Sequence, residues 1–294
     1  MIDDRDGGPP PARRTGTNTF LRRLLWKRRT GGVGAVIAAV IVLSALTAPW
    51  IAPSPAAQNL MNAYSPPSAE HWFGTDSFGR DVFARVLWGG RASLLVGLVA
   101  VGIAIVAGGT LGIVSGYTGG TIDRITSMVV EIVMAFPLIL LAIFIVGVFG
   151  TSSLNTMIAI GVGSVPSFVR FVRADVLALR QRDYIEAGRA LGATDARVVA
   201  RHVLPNVLAP LVILATLRIG TAILAESSLS FLGLGVQIPD SSWGSMVAEG
   251  RTLIQRAPWM SLIPGVVIMV AVLAFNLLGD SLRDALDPRE RGVS

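Results

Sequence analysis

Six apolar stretches fix most of what this chain can fold into. They run at roughly 33–52, 92–116, 127–149, 154–172, 207–230 and 260–281. Each reaches or approaches the ~20 residues that a helix needs to cross a bilayer. Inside hydrocarbon every backbone N–H and C=O must be satisfied within the structure, and a helix does this segment by segment. The expected fold class is therefore an all-α membrane protein with six transmembrane helices. Composition agrees: 15% of the 294 residues are charged, against about 25% in a soluble domain, and the mean hydropathy is +0.63. The first stretch follows a basic region, as a signal peptide would, but its apolar run exceeds the 7–15 residues of a signal core. It is read as a retained span.

The charges orient the bundle. Residues 1–30 carry eight basic and three acidic side chains, and residues 170–206 carry seven and four, whereas 54–91 and 231–258 are each balanced. Cytoplasmic loops collect Lys and Arg, so both termini and segments 117–126 and 173–206 are expected in the cytoplasm. Segments 53–91, 150–153 and 231–259 are expected outside. The organisation that follows is a basic, largely disordered tail at 1–30, a first helix with its extracytoplasmic segment at 31–91, and a core at 92–284 enclosing the cytoplasmic loop 173–206. A short tail at 285–294 ends the chain. Arg22, Arg23, Lys27, Arg28 and Arg29 suit anionic lipid headgroups or serve simply as a topology anchor.

Several chemistries are excluded. The chain has no cysteine, hence no disulfide and no thiolate site. Its two histidines, His71 and His202, are too few and too far apart for a metal centre. Lys27 is its one lysine, and no Gly-Lys-Ser/Thr triplet exists, so the chain is not expected to hydrolyse ATP. The basic clusters read as topology signals rather than nucleic-acid contacts. No catalytic residue and no cofactor is assigned.

Ala100, Ala104, Gly108, Gly112 and Gly116 recur every fourth residue in the second stretch. Such a ladder admits another helix at close range, by default one from the same chain.

The most informative polar segment is Asp183-Tyr184-Ile185-Glu186-Ala187-Gly188-Arg189-Ala190-Leu191-Gly192-Ala193-Thr194. Asp183 and Glu186 have capping-box spacing. A short helix is expected over 184–191, ended by Gly192 in the left-handed conformation, with Thr194 capping a second helix. Tyr184, Ala187, Gly188 and Leu191 then share one face. The residues alone leave two readings open: a face that enters a groove on another protein, or a loop helix packed on its own bundle.

A wider resemblance separates them. Glu186-Ala187-Gly188, followed by Gly192 and His202-Val203-Leu204-Pro205 at matching intervals, resembles the EAA loop of ABC importer permeases, with Gly188 and His202 departing from its pattern. His71-Trp72-Phe73-Gly74-Thr75-Asp76, Gly79-Arg80-Asp81-Val82, Ala135-Phe136-Pro137 and Glu226-Ser227-Ser228-Leu229-Ser230-Phe231-Leu232-Gly233-Leu234-Gly235 are similar to segments of the second (C-type) permease of dipeptide, oligopeptide and nickel importers. The resemblance covers most of residues 20–288. It implies the type I ABC importer permease fold in a bacterial inner membrane and a peptide cargo, with nickel chelates, haem or another small solute as alternatives. It also implies partners: a homologous second permease, two cytoplasmic ATPase subunits (or one two-domain ATPase) carrying the ATP and Mg, and an extracytoplasmic substrate-binding protein. Residues 183–194 would be the coupling segment. An ATPase-independent transporter or a membrane scaffold is the remote rival; no convincing inverted repeat supports the former.

Glu131 and Arg218 lie deep in apolar sequence, where an unpaired charge is costly. Together with Phe136 they are candidates for the transport pathway; pairing with each other, or snorkelling of Arg218, is the structural alternative. Asp76, Arg80, Asp81 and Glu226 are candidates for meeting the binding protein, with turns and helix caps as the alternative.

Overall fold

The computed structural model describes residues 29–236 and 240–286. The basic tail up to Arg28 and most of the C-terminal tail, with the lipid contact expected there, lie outside the described residues. Among the described residues ten α-helices follow one another: α1 (Arg29–Ile51), α2 (Val82–Thr118), α3 (Gly120–Met134), α4 (Leu138–Phe149), α5 (Ser153–Arg180), α6 (Asp183–Ala190), α7 (Asp195–Val198), α8 (Leu204–Phe231), α9 (Trp243–Gly250) and α10 (Trp259–Leu286). A π-helical turn, Val199–Val203, joins α7 to α8. Five helical segments are long and apolar enough to cross a membrane, and α3 and α4 taken together, as one bent pair, would make six.

That bend corrects the expectation of a straight span over 127–149. The axes of α3 and α4 meet at 89°. Pro137 lacks an N–H and disfavours helical geometry at Phe136. The chain closes α3 through the Ala135 amide on the Glu131 carbonyl at 3.1 Å and the Phe136 amide on Val133 at 3.2 Å, then turns. With 12 residues, α4 is only about 18 Å long, too short to cross alone.

The second stretch also differs. Its helix has 37 residues, about 55 Å, well beyond the ~30 Å of hydrocarbon. It begins ten residues early because Asp81 caps it, Oδ1 accepting from the Ala84 amide at 2.8 Å. The end bearing Asp81 therefore stands clear of the apolar layer.

The small-residue ladder finds its partner in α5 of the same chain. A Cβ on Gly108 would lie 2.6 Å from the Phe168 Cβ and 2.8 Å from the Val165 carbonyl, and one on Gly112 would lie 2.8 Å from the Val172 Cβ. Only a residue without Cβ permits this approach. Phe168, Val169, Val172 and Val176 are fully enclosed along that seam. The main core continues from it into α4, α6, α7 and α8. A second cluster (Ile223, Trp243, Ile268, Ala271 and Phe275) ties α8 and α9 to α10.

Gly108→Ala and Gly112→Ala should each lower stability by about 1–3 kcal/mol, since the inserted methyl meets backbone or Cβ atoms that cannot rotate away. Gly102→Ala, on the same helix but with nothing within 4 Å of the new Cβ, should be neutral or gain up to about 1 kcal/mol from helix propensity. Thermal unfolding of the three purified variants in one detergent measures the contrast in sign.

Candidate functional site

The loop between α5 and α8 folds as a compact, seated element. Its helix α6 starts one residue earlier than expected, at Asp183, and Arg182 holds the N-cap position with no side-chain capping bond. The Asp183–Glu186 box is therefore not formed. Both carboxylates lie in the first turn, where they still favour the positive end of the helix dipole. The C-terminal end is as expected. Gly192 has φ +84°; its amide reaches the Arg189 carbonyl at 2.9 Å, and the Ala193 amide reaches Gly188 at 3.0 Å. These are the paired bonds of a Schellman motif. Thr194 occupies the N-cap of α7 but makes no side-chain bond there.

Ile185 fixes the helix to the bundle. It is 0% exposed and joins Tyr117, Val176, Val198 and Val203 in the core. A polar clamp closes over it. The Tyr117 hydroxyl donates to Asp195 Oδ1 at 2.7 Å, the Arg189 guanidinium lies 5.0 Å above the Tyr117 ring, and Arg189 Nε is 3.9 Å from Asp195 Oδ1. The Tyr117 oxygen raises the Arg189 pKa, against a smaller opposing effect of burial, so Arg189 is a permanent cation. Tyr184 leans on His202, ring centres 6.0 Å apart.

The opposite side of the loop is bare. Leu191 is 89% and Tyr184 45% exposed; Asp183, Glu186, Ala187, Ala190, Gly192 and Thr194 are exposed, and Gly188 and Ala193 half-buried. A Cβ on Gly188 would touch nothing within 4 Å. An exposed apolar strip of this kind on a short, anchored helix marks an interaction surface. Ile185, Tyr117 and Asp195 as the seat were missed in the sequence. The available signal was Ile185 itself, the one large aliphatic residue within the polar turn 181–190.

The intramembrane charges do not behave alike. Glu131 on α3 lines a cleft of about 530 Å³ together with Arg170 and Arg173 of α5. Arg173 is engaged there: its Nη2 donates to Asp123 Oδ2 at 2.7 Å. Arg218 is half-buried on α8. It forms no ion pair with Glu131, which removes the alternative that they neutralise each other. Phe136, 58% exposed, sits at the α3–α4 elbow.

At the far end of the bundle the candidate contact residues turn inward. Asp76, Arg80 and Glu226 are 1%, 7% and 0% exposed, so they serve the scaffold rather than its outer surface. Asp76 Oδ2 accepts from Arg80 Nε at 2.6 Å and from Arg85 Nη1 at 2.7 Å. Arg85 grips Glu249 of α9 with two bonds, 2.7 and 2.9 Å. Arg85 and Glu249 were not singled out in the sequence, because their partnership spans 164 residues. Asp81, besides capping α2, takes His71 Nδ1 at 2.8 Å. Glu226 is enclosed by hydroxyls, with Ser230 Oγ at 2.6 Å and Ser93 Oγ at 3.2 Å. Among the described residues there is no cluster of His, Asp and Glu fit to hold a metal.

Against this geometry, comparison with known proteins is informative. The family model for the inner membrane component of binding-protein-dependent transport systems matches residues 108–292, and that for the N-terminal transmembrane domain of oligopeptide transport permease C matches residues 19–67. A dipeptide transport system permease protein of Alkalihalophilus pseudofirmus is 46% identical, over 98% of this chain and 96% of its own. A putative peptide transport system permease of Brucella suis is 44% identical over 91% and 90%. A glutathione transport system permease of Escherichia coli is 42% identical over 96% and 94%. Among solved structures, a chain of an inward-facing methionine ABC transporter superposes with a TM-score of 0.59 at 22% identity, covering 70% of this chain and 98% of that one; this is a likeness of fold.

Ile185→Ala should loosen the loop by about 2–5 kcal/mol, the usual cost of emptying a buried aliphatic site. Leu191→Ala, at an exposed site, should stay within about 0.5 kcal/mol. Hydrogen exchange of the α6 amides is the measure: protection should fall in the first variant and hold in the second.

Proposed function

The chain belongs to the inner membrane components of binding-protein-dependent transport systems, and from that premise we propose that it is one of two permease subunits in an ATP-driven importer of short peptides. It is a multi-pass protein of the bacterial inner membrane and the non-catalytic, membrane-embedded part of its transporter. Peptide cargo is supported by the relatives named for dipeptide, peptide and glutathione transport, which match almost end to end.

The observation that carries the mechanism is the two-sidedness of α6. Its inner side is socketed by Ile185, and its outer side leaves Ala187 and Leu191 exposed, with Tyr184 exposed beside His202. An ATPase subunit with a groove for that strip would grip a handle already fixed to α2, α5 and α8. ATP-driven closure of two such subunits moves the handle, and the seated bundle tilts with it. The cargo site is then exposed to one side of the membrane at a time. ATP and Mg act on the ATPases, and this chain contributes Asp183 to Thr194 as the coupling surface. Arg182 and Glu186, exposed at its edge, meet rim charges on the partner.

With the basic loop 173–206 in the cytoplasm, the Asp76–Arg80–Arg85–Glu249 cluster lies on the outer side. There it stiffens the surface on which a substrate-binding protein releases cargo, with Asp81 and Glu226 holding the adjoining helix ends. Glu131, Phe136 and Arg218 lie along the passage shared with the second permease.

Gly192→Pro removes the amide that closes the Schellman motif and forbids the positive φ. Glu186→Arg reverses a charge on the exposed rim without touching the core. Both should reduce dipeptide uptake by roughly 30-fold or more, the equivalent of one central interface contact of about 2 kcal/mol. Insertion and pairing with the second permease should persist. Uptake into proteoliposomes containing the whole importer, with copurification as the assembly control, is the test; undiminished uptake in both variants would refute the coupling assignment.

A further inference from the structure

The cleft beside the α3–α4 elbow holds two opposite charges that the fold leaves unused. Glu131 reaches it from α3 and Arg170 from α5; Ser127 adds a hydroxyl, and Val130 and Val169 supply apolar wall. The third charge, Arg173, is consumed by its paired bonds to Asp123. Glu131 and Arg170 have no hydrogen bond or ion pair to any described residue, and they do not pair with each other although they line the same space. Charges within membrane-spanning helices are costly unless they are paired or face a wet pathway. Two of them converging on one cavity without meeting is the arrangement expected when a third body bridges them. At about 530 Å³, the cavity falls within the 300–1,000 Å³ typical of small-molecule sites, where apolar walls surround a few oriented polar groups.

The body that fits carries an ammonium and a carboxylate at opposite ends. From the cleft's charge pattern, and resting on the peptide reading above, we infer that Glu131 and Arg170 bind the two termini of a short zwitterionic peptide in transit. The carboxylate of Glu131 takes the terminal ammonium. The guanidinium of Arg170 takes the terminal carboxylate as a forked, charge-assisted pair, and Ser127 is placed to bond the intervening amide. Because only the termini are read, the side chains of the cargo meet apolar wall and are not selected here. Arg170 thereby gains a role in specificity, and Glu131 one confined to the amino end.

The test uses the complete permease–ATPase assembly in nanodiscs, titrated calorimetrically with three probes: Ala–Ala, N-acetyl-Ala–Ala and Ala–Ala amide. The unmodified assembly should bind Ala–Ala about tenfold or more tightly than either blocked form, one charge-assisted contact being lost in each. Glu131→Gln should erase the preference over the N-acetyl form alone, and Arg170→Gln the preference over the amide alone. Both substitutions keep near-native shape, and copurification of every subunit in a single gel-filtration peak confirms intact assemblies. Uniform weakening towards all three probes, or no discrimination in the unmodified assembly, would overturn the inference. The peptide reading is tested separately by uptake of Ala–Ala through the whole importer with its binding protein. Uptake without terminal discrimination at the cleft sinks only the zwitterion site; no uptake of any peptide sinks the cargo assignment itself.

Discussion

The close contact of α2 with α5 is the constraint from which the rest of this structure hangs. Gly108 and Gly112 let the two backbones approach until a single methyl would collide. In lipid there is little hydrophobic gain from bringing helices together, so this packing must come from dense van der Waals contact between complementary surfaces. The seam continues to the loop end of the bundle, where a Cβ on Gly116 would lie 3.0 Å from the Arg173 carbonyl and the Val176 Cβ. One residue further, Tyr117 leaves the seam and forms the wall of the Ile185 socket. A looser α2–α5 contact would widen that socket, and the loop would lose its fixed attachment.

Such an attachment decides whether force can be passed on. A helix tethered only by its chain ends would yield when pulled. Here α6 is held by the buried Ile185 and by Arg189, whose guanidinium lies over the Tyr117 ring of α2, while the Tyr117 hydroxyl bonds Asp195 of the following helix α7. On its C-terminal side α7 and the π-helical turn lead into α8, so that Asp195 to Phe231 forms one long helical rod. π-Helical turns are common where a helix serves a functional purpose, and this one keeps the backbone helical from α7 into α8. Under the proposed coupling role, displacement at α6 would be delivered along α8, the helix bearing Arg218 and Glu226.

Much of this was legible in the sequence, and the exceptions have definite causes. The spans were visible because hydropathy summed over about 20 residues overrides local detail. The left-handed turn at Gly192 was visible because only local backbone chemistry decides it. The Asp183–Glu186 capping box failed because spacing alone does not choose between a cap and a first helical turn, and Arg182 took the cap. The bend at Pro137 was hidden by reading Ala135-Phe136-Pro137 as a motif instead of as a missing donor. The inward turn of Asp76 and Arg80 was invisible for another reason: their neutralising partner Glu249 lies on a helix far along the chain, and no pattern within a short window reports it.

The charges of this protein fall into two kinds. Asp76, Arg80 and Arg85 are enclosed and ion-paired with one another and with the partly exposed Glu249; removing Asp76 would leave Arg80 and Arg85 as undercompensated buried charge, at a cost of about 3–5 kcal/mol. Asp123 and Arg173 form a similar pair at the opposite end. These groups fix geometry. Glu131 and Arg170 share a cleft with Arg173, Arg218 lies within the apolar run of α8, and none of Glu131, Arg170 and Arg218 is neutralised by a described residue. Their isolation, on helices that flank the elbow and carry the rod from the loop, is what a passage for a polar solute requires: groups that a hydrated cargo can meet in turn and leave again.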